Sequence, residues 1–208
     1  MVITVSGMNV VVLGNQNPSI VSHKFLVDQG IVSSEVGTPQ PFATPIFSQL
    51  SYENFSIQVD QNRLQVQQEL QPGQKPFVNL IASKYYSILQ FTPVNAYGVN
   101  FVGQIEWGSL ESYKNFLAVN YSRCELLTKL TKDPDWRLGF TVMYRLAPFI
   151  VRITIDPSTD GGGSALSINC HRGLPSEDGI KLLVAELADT QTLAPSIIDT
   201  VNAIASES

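Results

Sequence analysis

Two cysteines and two histidines in 208 residues leave this chain without the usual means of building a disulfide scaffold or a zinc site. Cys124 and Cys170 both sit in apolar-patterned segments, which predicts buried, reduced thiols of a cytosolic protein, with a single bridge between them as the alternative. His23 and His171 are far apart, and no His-x-x-x-His, His-Glu-x-x-His or Cys-x-x-Cys occurs, so no metal and no cofactor is expected. Successive residues of a strand point to opposite faces, which predicts a buried Cys170 beside a surface or hydrogen-bonded His171. Long apolar runs are missing too: none nears the roughly 18 residues of a membrane-spanning helix. No Lys or Arg precedes the apolar start MVITVSGMNVVVLG, so that segment reads as a strand and not as a secretory leader. The phosphate-cradling Gly-x-x-x-x-Gly-Lys-Ser/Thr, the Gly-x-Gly-x-x-Gly turn and the Gly-x-Ser-x-Gly elbow are all absent. Gly161-Gly162-Gly163 leads into a strand, which predicts a hairpin loop and leaves no helix N-terminus to hold a phosphate.

Charge is also sparse. Only 15% of residues are charged, and 13 Lys and Arg against 18 Asp and Glu give a net charge of −5. With a sequence pI near 5.0, a chain whose main task is non-specific binding of DNA or an anionic membrane is excluded. What is present is ordinary soluble-domain material: 44% hydrophobic residues and a mean hydropathy of +0.08. That is enough to bury a real core without staples.

The β-branched stretch Ile3 to Leu13, interrupted at Gly7, predicts one bent strand or a short hairpin. Residues 33–45 (SSEVGTPQPFATP) hold three prolines and read as an extended connector. Phe55, Ile57 and Val59, then Leu64 and Val66, alternate with polar residues about Gln61-Asn62, which predicts an antiparallel hairpin with a preceding strand near 46–52. Phe77, Leu80, Ile81, Lys84, Tyr85, Ile88 and Leu89 recur at helical spacing and should pack on that hairpin. Val99, Phe101, Ile105 and Trp107 mark a further strand; Ser109 or Ser112 can cap a helix carrying Tyr113, Phe116 and Leu117, with a second helical piece around Cys124, Leu127 and Leu130. Leu138 to Leu146 and Phe149 to Ile155 read as strands turning at Ala147-Pro148, or as one long strand bulged at Pro148, with Leu166, Ile168 and Cys170 on a returning strand. Two helices close the chain, the first with Ile180, Leu183, Val184 and Leu187, the second after Pro195.

The expected fold class is α+β, a mostly antiparallel sheet with helices packed on one face. Its order suggests two strand-strand-strand-helix halves. The expected organisation is an N-terminal strand region and connector over 1–45 and a core over 46–208, either one domain or two similar halves, 46–108 and 109–208.

The segments Asn17-Pro18-Ser19-Ile20, His23-Lys24-Phe25-Leu26 and Gly30-Ile31-Val32, followed by the Pro-rich stretch and the 55–70 hairpin, carry a resemblance. This pattern, covering roughly the first 70 residues, resembles sporadically distributed bacterial proteins of unknown function, including chains associated with mobile elements or phage defence. The resemblance implies a prokaryotic or phage origin and a part in a multi-component system. It brings no catalytic residues with it.

Three candidate sites follow from the residues. Gln58, Gln65 and Gln67, with Gln68 and Gln71 nearby, make a hairpin face low in charge and rich in amides, suited to hydrogen bonding with another chain at an open strand edge. Between Lys114 and Arg152 seven basic residues stand against three acids, and Arg123, Lys129, Lys132, Arg137, Arg145 and Arg152 offer a local phosphate-binding surface for nucleic acid. Asp156, Asp160 and His171 are the residues on which an unfamiliar hydrolase site could be built. The expected function is a non-catalytic, cytoplasmic binding or assembly subunit with a protein partner or a homo-oligomeric state; a nucleic-acid-contacting subunit and a hydrolase are the alternatives.

Overall fold

The computed structural model describes residues 1–71, 73–120, 138–158, 163–175, 177–190, 193 and 195–199. Its strands are β1 (Val2–Gly14), β2 (Gln40–Thr44), β3 (Phe47–Ser51), β4 (Phe55–Asp60), β5 (Arg63–Glu69), β6 (Val94–Glu106), β7 (Phe140–Leu146), β8 (Phe149–Pro157) and β9 (Gly163–Gly173). The helices are α1 (His23–Asp28), α2 (Val78–Ile88), α3 (Leu110–Asn120) and α4 (Gly179–Asp189). One nine-stranded sheet runs in the order β2, β3, β4, β5, β1, β6, β9, β8, β7, every neighbouring pair antiparallel. The class is α+β, as the mixed order of hairpins and helices predicts.

The sheet exists because its apolar residues recur with period two and its registers bring those residues into line. Val66, Val10, Val99, Cys170 and Val151 stand opposite one another on five successive strands, and all are buried. The next row down that face is Phe55, Gln68, Met8, Phe101, Ile168 and Ile153. Each Val, Leu or Ile so covered contributes roughly 1.5–3 kcal/mol of hydrophobic free energy. Gln68 falls in the buried phase that the hairpin pattern otherwise reserves for apolar side chains. Its Oε1 accepts the Phe77 N–H at 3.0 Å, which satisfies one of the amide donors that the start of a helix leaves without a partner.

Helices cover this face alone among the described residues. α2 and α4 lie side by side on it, tied where Asn79 Nδ2 donates to the Leu187 carbonyl at 2.9 Å and Ser83 Oγ to the Val184 carbonyl at 3.1 Å. α1 is capped by Ser22, whose Oγ accepts the Phe25 N–H, and sets Phe25 edge-on against Tyr85. Ser109 Oγ accepts the Ser112 N–H at the start of α3, and Tyr113 and Phe116 pack around Trp107. Residues 195–199 are helical, with Ile197 buried. The helical piece expected around Cys124, Leu127 and Leu130 lies outside the described residues. No described helix is long and apolar enough to cross a membrane.

Several local expectations change. Residues 33–45 are not wholly a connector, since Gln40–Thr44 pairs with β3 as an edge strand. The 55–70 hairpin is not an edge: β4 and β5 are flanked by β3 and β1. Turn chemistry located the hairpin, but which strands lie outside it depends on long-range pairing. β1 is one strand, broken by a register shift between Val5 and Gly7, and it occupies the middle of the sheet between β5 and β6. The β7–β8 turn is at Ala147-Pro148, with a cis peptide.

At the β1 bulge the backbones of β1 and β6 close in. A Cβ on Gly103 would stand 2.3 Å from the Thr4 carbonyl oxygen, so Gly103→Ala must push two central strands apart. Its cost is expected at about 1–3 kcal/mol, read as a lower urea midpoint with an unchanged denaturant slope. A second expectation comes from the core hydroxyls. Burial pushes the Tyr52 hydroxyl up to about 12 and raises those of Tyr85, Tyr86 and Tyr97 above 10.0. A raised folded-state value means these groups favour folding fully below their unfolded value and lose that contribution as pH rises past about 10. Urea midpoints should therefore fall steadily above that pH, with tyrosinate absorbance appearing together with loss of the far-ultraviolet dichroism.

Candidate functional site

The opposite face of the sheet carries no described helix. Its residues are the alternate positions of the same strands, so the registers that build the core also build this surface. One row runs through Gln49, Gln58 and Gln65 on β3, β4 and β5 and continues through Val11, Gly98, His171, Ile150 and Arg145 on the other side of the sheet. The adjacent row passes from Gln67 to Asn9, Asn100 and Asn169, then to Arg152 and Met143.

Three asparagines on β1, β6 and β9 form a side-chain ladder at the centre. Asn100 Nδ2 donates to Asn9 Oδ1 at 2.6 Å, and Asn169 Nδ2 donates to Asn100 Oδ1. Beside it Gln65 Nε2 donates to Gln67 Oε1 at 3.0 Å. Chained amides of this kind polarise one another and hold their side chains flat on the sheet, while each terminal amide keeps donors and acceptors for a partner. Among these amides stand exposed apolar side chains: Val102 is 47%, Ile150 44% and Met143 61% accessible.

Gln58, Gln65 and Gln67 therefore share one face, as the alternation predicts, but they form the interior of a sheet face and not its edge. Arg145 and Arg152 lie on this same face, on the paired strands β7 and β8, where Arg152 stands opposite Met143 and Arg145 opposite Ile150. They are diagonal neighbours, both exposed, and neither makes an ion pair among the described residues. Arg123, Lys129, Lys132 and Arg137 lie outside the described residues. Two candidate sites read separately from the sequence thus become two ends of one surface, joined by the asparagine ladder. No spacing in the sequence announces that ladder, because its members are brought together only by the register of three strands.

Of the hydrolase residues, the two that are described do not come together. Asp156 pairs with Ala165 and His171 lies six residues further along β9, about 20 Å away at strand rise; Asp160 lies outside the described residues. Cys170 and His171 face opposite sides, Cys170 buried and His171 exposed. Burial pushes the Cys170 thiol up to about 12, the reverse of what a nucleophilic thiolate needs. A cleft of about 710 Å³ opens between the C-terminal end of α2 and the N-terminal end of α4. Its only charged side chains among the described residues, Asp178 and Lys181, are paired to each other at 2.6 Å. Among the described residues no group of three His, Cys, Asp or Glu could hold a metal ion.

The ladder makes a sharp expectation. Asn100→Asp removes the donor to Asn9 Oδ1 and places a carboxylate between two amides, at a cost of about 1–3 kcal/mol near neutral pH. Below about pH 4 the protonated carboxyl regains a donor, so the gap in urea midpoint between variant and parent should narrow there. An equal gap at both pH values would show that the amide chain does not hold these strands.

No protein-family model matches the chain, and a search of the curated proteins finds no match, so what this surface does must be argued from its own residues.

Proposed function

We propose that this chain is a non-catalytic binding or assembly subunit of a multi-component prokaryotic complex, cytoplasmic, and that it receives another protein on the helix-free face of its sheet. The observation that carries this reading is the character of that face. It is broad, uncharged over its centre and furnished with aligned amides and isolated exposed apolar side chains. Interface centres are depleted of charge relative to ordinary surface, and this face is too. Eight strands at about 4.8 Å spacing and five residues of strand length give on the order of 600 Å², close to the roughly 800 Å² per partner of a standard interface. The resemblance of the first 70 residues to proteins of mobile elements and phage defence supports membership of such a complex.

The two-half plan belongs to the same reading. β3, β4 and β5 followed by α2 fan out on one side of the β1–β6 pair, β7, β8 and β9 followed by α4 on the other, and α2 meets α4 over the centre. An assembly subunit of this build presents two similar wings to its partner.

A second reading, contact with nucleic acid, has one observation in its favour: Arg145 and Arg152 are exposed, adjacent and without acidic partners among the described residues. Arg145→Glu/Arg152→Glu should abolish any gel shift seen at low salt, and an unshifted parent protein at low salt removes that reading.

The protein-partner reading is tested with Gln67→Lys/Ser167→Lys, which puts two ammonium groups onto the centre of the face, at Gln67 opposite Asn9 and at the exposed Ser167 of β9 opposite Val102. In affinity purification from the native lysate with mass spectrometry, a partner enriched by the parent chain should fall at least about tenfold, the equivalent of 1.4 kcal/mol, at an unchanged thermal midpoint. A partner retained equally by this variant, or none retained by the parent, rejects the reading.

A further inference from the structure

The two edges of the sheet are built differently. β2 is five residues long, contains Pro41 and runs directly into Pro45, the features that blunt an edge strand against pairing. β7 at the other edge is seven residues, Phe140–Leu146, in unbroken register with β8. It has no Pro, Gly or Lys. Beyond Phe140, its residues make no backbone hydrogen bond among the described residues other than those to β8, so alternate N–H and C=O groups face outward with no described partner. Its core phase is unfinished as well. Val142 lies in the row of Ile153, Ile168 and Phe101, all of which are buried, yet it is 41% accessible. A strand added at this edge would cover it.

We infer that β7 pairs antiparallel with β7 of a second copy of this chain, joining the two sheets about a twofold axis at Met143. A twofold requires self-complementarity, and the sequence Phe-Thr-Val-Met-Tyr-Arg-Leu has it. The register centred on Met143 uses all seven residues. It sets Phe140 opposite Leu146 of the second copy and Val142 opposite Tyr144, aromatic beside aliphatic on the core face, a favourable cross-strand combination. On the other face Thr141 meets Arg145 of the second copy and Met143 meets itself, so the two arginines are kept on opposite sides of the axis with no like charges opposed. The helix-free faces of both copies run on into one surface. This inference does not rest on the sheet face binding another protein, since it uses only the edge.

Sedimentation equilibrium should give twice the 22.8 kDa chain mass, and Val142→Lys/Met143→Lys should give the single-chain mass with the far-ultraviolet dichroism of the folded parent retained and the thermal midpoint no longer dependent on concentration. In a Cys124→Ser background, Met143→Cys should cross-link on mild oxidation, because opposed residues have Cα atoms about 4.5–5.5 Å apart. Thr141→Cys should not, its copies being offset by four residues, about 13 Å. A parent chain that stays single at all concentrations, a dimer indifferent to the lysines, or cross-linking as efficient at 141 as at 143 overturns the pairing. Should the lysine variant fail to fold, the comparison of the two cysteine variants decides alone. A dimer broken by Gln67→Lys/Ser167→Lys and not by the edge variants would place self-association on the sheet face instead.

Discussion

The antiparallel pairing of β1 with β6 is the constraint on which the rest of the molecule depends. These are the two longest described strands, each thirteen residues, and β2 to β5 and α2 lie between them in the chain, so nothing local brings them together. Once they are in register, Val10 is set against Val99 and Asn9 against Asn100, one pair for each face. Every other strand adds outward from this pair, and because the side-chain period is two, a slip of one residue would bury the asparagines and expose the valines. The bulge between Val5 and Gly7 and the side-chain-free Gly103 let the two backbones approach closely where the pairing shifts.

A sheet built this way has two faces of unlike character. One is closed by α2 and α4, whose cross-links by Asn79 and Ser83 lock the helix pair over the centre. The other holds its strands with amides instead of packing. Side-chain amides are a compromise: they stabilise less per residue than buried valine, but they can be wet or covered without leaving an unpaired charge. Titratable groups in the core are of the opposite kind, since Cys170 and the buried tyrosines are kept neutral by burial.

Much of the fold was legible beforehand. The alternation at Phe55 to Val66 and the turn at Gln61-Asn62 placed β4 and β5, the three- and four-residue spacing from Phe77 to Leu89 placed α2, and the element order from residue 46 onward follows the pattern of apolar periods. These are short-range signals, and the chain obeys them because each element can bury its own stripe. Failures cluster where a residue's role is fixed from afar. Gln68 breaks the hairpin's apolar phase because the start of α2 supplies it a donor. β2 hides in a Pro-rich stretch because an edge strand needs only one neighbour. The hairpin thought to be an edge is interior because β1, some fifty residues earlier in the chain, claims its free side.

The same division holds for function. By itself the sequence determined the α+β class, the scarcity of metal-binding and catalytic spacings, the glutamine-lined hairpin face and the basic character near Arg145 and Arg152. Tertiary structure alone decided that the glutamines and the arginines share a face, that three asparagines bridge them, that Asp156 and His171 stand apart, and that β7 is an outermost strand among the described residues. Composition and periodicity record what one segment prefers, whereas the juxtaposition of distant segments is set by strand register across the whole sheet. That register is a property of pairs of strands and is written in neither strand separately.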